Sequence, residues 1–326
     1  MSTIREFMER HYLHFNSREV LAATQAYEAH LERGGKMLIS LAGAMSTARI
    51  GRILSRLIRE DKVHAISCTG ANLEEDIFNL LAANDYEIIP DWRALRAEDE
   101  QALYNRGMNR VTDTCIPETV MRHLEGRLQS KWTQAEEQSE TLLPSEFLYQ
   151  ILKDEDLEQH FQIPKEDSWM LAAMEKNLPV FTPGWEDSTT GNMFAASVIN
   201  GHLKGHSCVA TGTEQMQRLV HFYRENHGQT TTAPSMGFFQ IGGGIAGDFA
   251  ICAVPLMIQD LEMKDTPFWG YFCQISDAVT SYGGYSGAPP NEKITWGKLD
   301  PETPKFMINS DATIVAPLMF AYLLGD

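Results

Sequence analysis

The feature that most constrains this chain is an alternation of short apolar runs, each ending in small residues, with helical patterns. Residues 36–41 (KMLISL) form such a run and stop at Ala42-Gly43-Ala44. Residues 45–61 then place Ile50, Ile53, Leu54 and Leu57 on one side of an amphipathic helix. Residues 63–68 are a second run, ending in Thr69-Gly70-Ala71-Asn72, and residues 73–83 are helical. Strands joined through helices at this spacing are parallel, because the crossover must return to the starting edge. The alternation resumes with a helix over 169–177, a strand over 178–181, a helix over 192–199 and a short strand over 208–210. A helix over 214–226, a strand over 236–241 and a helix over 245–261 follow, then strands over 270–275 and 305–308 and a helix over 312–324. The pattern predicts an α/β fold: a doubly wound, mostly parallel sheet with ligands at the carboxyl ends of its strands.

Two stretches lie outside the alternation. Residues 5–33 read as one helix stopped by Gly34-Gly35, within an N-terminal helical segment of residues 1–35. Residues 84–165 read as a helical insertion, with helices over 116–128 and 145–157 and a solvated acidic run at 134–140. No repeat, low-complexity tract or flexible linker divides the chain, so one domain over 1–326 is expected.

Charge narrows the partners. Lys and Arg number 27 against 44 Asp and Glu, a net −17, which excludes a general nucleic-acid binder. An acidic surface instead attracts polyamines or a basic protein. The five cysteines are scattered without CxxC or Cys/His metal spacing, and read as buried thiols of a reducing compartment. Residues 1–6 lack an apolar leader, and no run reaches the ~18 apolar residues of a membrane helix. A cytoplasmic protein is expected.

One loop stands out for chemistry. Lys298 follows Trp296-Gly297, with Glu292 six residues before it and the glycine-rich stretch 282–290 upstream. An amine becomes nucleophilic near neutral pH when desolvation or a neighbouring cation lowers its pKa. An indole wall supplies desolvation, and a carboxylate handles protons; the alternative is an ordinary surface turn. Gly242-Gly243-Gly244-Ile245-Ala246-Gly247 matches GxGxxG between a strand and a helix, either as a phosphate loop or as a close-packing turn. Thr69 to Asp76 sets small residues and then carboxylates at a helix start, where they complement the helix dipole or, through Glu75, bind a ribose hydroxyl. Residues 186–192 are another polar tip. Asp311 ends the set, as a cofactor contact or a plain N-cap.

Taken together, residues 69–76, 179–183, 242–244, Glu292 through Lys298 and 310–312 resemble the deoxyhypusine synthase family in order and spacing from about residue 36 onward. The resemblance implies a Rossmann-like, deoxyhypusine synthase-type fold. It also implies NAD as cofactor, a polyamine such as spermidine as substrate, and a homotetramer with active sites between subunits. Members of the family pass the aminobutyl group of spermidine through an imine on an enzyme lysine, with no net redox change. By resemblance Lys298 forms the imine, and Glu292 and Trp296 line the substrate. The implied NAD contacts are Thr69, Gly70, Ala71, Glu75, Asp187, Gly242, Gly243, Ala278, Asp311 and Ala312.

The chain departs from that family's pattern at the substrate side. Asp248 stands where a histidine is expected, and Asn192 and Tyr285 stand where carboxylates would hold ammonium groups. An ammonium buried without a partner is costly. The expectation is retained imine chemistry with rebuilt recognition at Asn192, Asp248 and Tyr285: an NAD-dependent alkylaminotransferase acting on a small amine, in the manner of a homospermidine synthase. The alternatives are a true deoxyhypusine synthase acting on a basic translation factor and a non-catalytic NAD- or polyamine-binding relative.

Overall fold

The computed structural model describes residues 3–227 and 235–326. Met1 and Ser2, on which the reading of the N-terminus partly rests, lie outside the described residues. Two helices open the chain, α1 (Ile4–His11) and α2 (Phe15–Glu32), where one was expected. The break falls at residues 12–14, and Phe15 re-enters helix from a left-handed φ of 54°. Strand β1 (Met37–Leu41), α3 (Gly51–Arg59), β2 (Ala65–Cys68) and α4 (Gly70–Ala82) then follow as the alternation predicts. Helix α3 starts later than expected, because Arg49 takes a φ of 59° and residues 45–50 form turns.

The stretch 84–165 departs from the sequence reading. It holds β3 (Glu87–Ile88), α5 (Ala97–Asn105), β4 (Met108–Val111) and β5 (Thr114–Pro117), then the long α6 (Glu118–Gln138) and α7 (Pro144–Leu152). The three strands pair antiparallel in the order β3-β5-β4, a small sheet where only helices were expected. The acidic run 134–140 is the end of α6, closed by Ser139 at φ 57°. Helix α8 (Trp169–Glu175), β6 (Val180–Phe181), α9 (Thr189–Ile199) and α10 (Gly212–Asn226) return to the pattern. The strand expected at 208–210 is reduced to a single bridge between Leu142 and Val209.

Strand β7 (Gly237–Ile241), α11 (Gly244–Ile251), a helical turn α12 (Ala253–Pro255) and β8 (Tyr271–Ser276) complete the centre. A short α13 (Glu292–Thr295), β9 (Lys305–Asn309) and α14 (Ala312–Leu324) end the chain. The helix expected over 245–261 is not continuous. After Pro255 it widens into a π-helical turn, Leu256–Asp260, with Leu261 N–H donating to the Leu256 carbonyl at 3.1 Å. Such turns are often kept for function.

The large sheet runs β6-β2-β1-β7-β8-β9 with every pair parallel. Counting only its own strands in chain order, this is 3-2-1-4-5-6, the doubly wound arrangement of a Rossmann-like sheet, whose switch point lies between β1 and β7. Successive residues face opposite layers. Ile39, Phe239 and Tyr271 join the core that includes α2 and α14, while Leu38, Phe238 and Phe272 join the core that includes α10 and α11. Both faces are covered, which explains the unbroken apolar runs. Among the few polar residues that interrupt them, Gln240 and Gln274 are paired in register on β7 and β8.

Candidate active site

The expected cofactor residues follow the carboxyl tips of successive parallel strands. Thr69, Gly70 and Ala71 follow β2, Asp187 follows β6, Gly242 and Gly243 follow β7, Ala278 follows β8, and Asp311 and Ala312 follow β9. Several have structural roles of their own. Gly70 leaves no room for a side chain, since a Cβ there would meet the Ser188 Cβ at 2.5 Å. Asp311 caps α14, its Oδ1 accepting from Thr313 N–H at 2.7 Å. Ala278 N–H donates to Ser276 Oγ at 3.1 Å. Asp187 is exposed.

The glycine turn after β7 is close-packed for reasons visible in the backbone. Gly242 has φ 74°, and a side chain on Gly243 would run into Ser286. Gly244, by contrast, opens α11 with nothing within 4 Å of where its Cβ would be. Gly43, across the switch point, has φ 68°, and a Cβ there would touch only the flexible end of Met45 at 3.8 Å, so the backbone at this point carries little cover.

The three acids of α4 divide their work. Glu74 accepts from the N–H groups of Thr189 and Thr190 at 2.9 and 2.8 Å, capping α9. Asp76 accepts from Ser168 Oγ and Met170 N–H at 2.6 and 3.0 Å, capping α8. Only Glu75 lacks such a duty; it accepts from the Thr47 hydroxyl, and burial raises its pKa to about 7. A carboxyl that takes and gives hydrogen bonds near neutral pH suits a ribose hydroxyl.

The lysine loop lies beside the sheet rather than at its tips. Pro289 and Pro290 set the turn that opens α13, their carbonyls accepting from Glu292 and Lys293 N–H at 3.0 and 3.1 Å. Gly297 at φ 68° ends it, and Lys298 N–H returns to the Lys293 carbonyl at 3.0 Å. The loop faces α11, α12 and the π turn across a cleft of ≈ 780 Å³.

Lys298 is 7 % exposed, and its Nζ donates to Asp248 Oδ1 at 2.8 Å. The ring of Tyr285 lies 5.3 Å from that Nζ. Tyr285 is held in turn, its hydroxyl donating to Gln240 Oε1 at 2.9 Å. Gln274 Nε2 fixes the next residue through the Ser286 carbonyl at 2.8 Å. The two glutamines in the sheet therefore position the cleft wall.

Glu292, Trp296, Lys298, Asp248 and Tyr285 all line this one cleft. Trp296 is 67 % exposed and stands at the rim, so the indole does not by itself desolvate the lysine. Asn192 is exposed on the first turn of α9 and does not line the cleft. Three lining residues carry chemistry that the sequence reading did not assign: Lys293, Cys252 and Asp260. Lys293 is 2 % exposed, with its Nζ 4.8 Å from the ring centroids of both Phe272 and Tyr285. Burial and the charge of Lys298 lower its pKa to about 8. No local signal marks it, since Phe272 lies 21 residues upstream on another element.

A doubly wound parallel sheet with a cleft beside it that holds a buried lysine defines an α/β protein of the Rossmann-like class. The sequence pattern of deoxyhypusine synthase matches residues 6–323. A "Probable deoxyhypusine synthase 2" of Methanosarcina mazei is 28% identical over 307 residues, covering 94% of this chain and 81% of that protein. A "Deoxyhypusine synthase-like protein" of Nostoc sp. is 28% identical over 337 residues, covering 99% of this chain and 82% of that one. The solved structure of a "putative deoxyhypusine synthase" from Entamoeba histolytica superposes with a TM-score of 0.57 at 12% identity, covering 95% and 88% of the two chains, and shares the fold. The chain belongs to the deoxyhypusine synthase family.

Proposed function

We propose that the chain is an NAD-dependent transferase that moves an aminobutyl or related alkylamine group from a polyamine such as spermidine, through an imine on Lys298, to a small acceptor amine. The observation that carries this reading is the buried Lys298 Nζ, hydrogen-bonded to Asp248 inside the cleft. Bound NAD supplies hydride acceptance and return, so the overall transfer needs no external oxidant. Glu75 and the strand-tip residues from Thr69 to Ala312 would hold it. Asp248 Oδ1 orients Lys298 Nζ and is placed to take the proton that the amine loses before it attacks. The ring of Tyr285 walls the lysine from water.

Asp248 is already engaged by Lys298, and Tyr285 presents a ring where the family resemblance implies a carboxylate. Recognition of the amine has therefore been rebuilt, and this favours a small acceptor. The net charge of −17 supports a second reading, a basic acceptor protein modified at a lysine as by a true deoxyhypusine synthase.

Exposed Ile245, Val279, Tyr282, Trp296 and Ile314 belong to the turns and helix starts that follow β7, β8 and β9. Apolar side chains of this size in water favour burial by a second subunit, in keeping with a homotetramer whose sites lie at subunit interfaces. Buried Cys68, Cys115, Cys208 and Cys273 suit a cytoplasmic setting, and among the described residues no helix is long and apolar enough to cross a membrane.

The test is mass spectrometry of products after incubation with NAD and spermidine, putrescine or agmatine, with and without a basic acceptor protein. A transfer product without accumulating NADH is expected. Net NADH accumulation would mean an oxidoreductase, and unchanged amines would mean a non-catalytic relative.

A further inference from the structure

Nothing in the transfer chemistry requires Lys293 to carry a charge, yet the fold buries an ammonium there. Its Nζ has three hydrogen-bond donors. They meet two aromatic faces and one carbonyl, that of Ala288, at a long 3.5 Å. Among the described residues no carboxylate forms an ion pair with it; of the two close enough to act on its charge, Asp248 is paired with Lys298 and Glu292 is exposed. With its pKa at about 8, Lys293 is mostly protonated at neutral pH.

The two lysines of the cleft are thus buried beside a single paired carboxylate, Asp248, whose side chain is itself half-exposed. The remaining acids of the cleft, Asp260 and Glu292, are exposed at its rim. An under-satisfied buried cation calls for an acceptor, and a charge-assisted hydrogen bond in a low-dielectric site is stronger than the same bond in water. A second ammonium at that depth would be repelled by Lys293 and welcomed at the rim.

We infer that, of the two amines the proposed transfer joins, the one reaching the inner end carries a carboxylate seated on Lys293 Nζ: it is an amino acid rather than a simple diamine. Seated this way, the molecule keeps its amine beside Lys298 and points any further ammonium toward Asp260 and Glu292. This inference rests on the proposed reading only in taking the cleft as the amine site.

Two matched pairs test it, because each differs by one carboxylate: ornithine against putrescine, and arginine against agmatine. Isothermal titration of the full chain in the presence of NAD is expected to show the amino acid binding at least tenfold more tightly than its decarboxylated partner. In Lys293→Met that preference is expected to vanish while putrescine binding holds or improves, with the variant's thermal unfolding reporting that it is folded. Putrescine binding as tightly as ornithine, a preference that survives Lys293→Met, or no binding of either amino acid would overturn the inference.

Borohydride trapping on Lys298 reads the transfer chemistry separately. A Lys293-dependent preference for carboxylates without any trapped adduct would leave the seat standing and remove the imine. Adducts from diamines alone, indifferent to Lys293→Met, would do the reverse.

Discussion

Replacing Lys293 with methionine should make the protein more stable, an uncommon outcome for a buried substitution. The folded chain holds this amine at a pKa of about 8 against 10.5 for a lysine in water. Between those values the unfolded chain binds a proton that the folded chain has released, so stability rises with pH across the window. Below pH 8 the full penalty applies, about 3 kcal/mol from a shift of this size. Methionine fills a similar volume without the charge and exchanges the cation–π contacts with the Phe272 and Tyr285 rings for weaker sulfur–aromatic ones, a loss of about 0.5–1 kcal/mol at each ring. A net gain of about 1–2 kcal/mol remains at pH 7. For a chain of 326 residues the unfolding entropy converts this into roughly 2–3 °C in Tm. Thermal unfolding of both proteins, followed by circular dichroism from pH 7 to 10.5, checks it: the gap should narrow as the wild-type amine deprotonates. A variant less stable than wild type by the same margin at every pH would refute the claim that the ammonium is held at a cost.

Other outcomes follow from the same contacts. Asp248→Ala removes the charge-assisted bond to Lys298 and should lower kcat by about 10- to 100-fold with the fold kept, measured by product formation and circular dichroism. Gly243→Ala forces a methyl group into Ser286 and should cost about 1–3 kcal/mol in chemical denaturation; Ser286→Gly in the same chain should recover part of it, and no recovery would place the strain elsewhere. Asp76→Ala strands Ser168 Oγ and Met170 N–H and should cost about 2–4 kcal/mol by the same method. Burial raises the Asp76 pKa to about 6, so the folded chain keeps a proton that the unfolded chain releases, and this group's contribution falls as pH rises from about 4 to 6. Asp76→Asn should flatten that part of the stability profile.

The parallel sheet was readable because its strands are buried on both faces. MLISL and GFFQI are almost wholly apolar, and each stops in glycine or alanine. The small sheet was not readable, since Glu87–Ile88 and MNRV are short, half-exposed and mixed in polarity, and take their pairing from β5. The break at Pro255 was legible in principle; the π turn that follows depends on packing around the cleft. Glu292, Trp296 and Lys298 share one loop and one cleft, as their spacing suggested. Lys293, in the middle of that same motif, gave no sign of its burial, because the aromatic rings that cover it come from β8 and the glycine-rich stretch. Asn192 shows the converse: a position singled out by resemblance that the chain does not bring to the cleft it was expected to shape.

The central claim is that Lys298 forms an imine with an oxidised amine. Incubation with NAD and the amine panel, reduction with borohydride and peptide mapping by mass spectrometry address it directly. The account predicts a stable alkylamine adduct on Lys298 that requires NAD and is absent from Lys298→Ala. An adduct that maps to Lys293, or none on a folded, NAD-loaded protein, would contradict it.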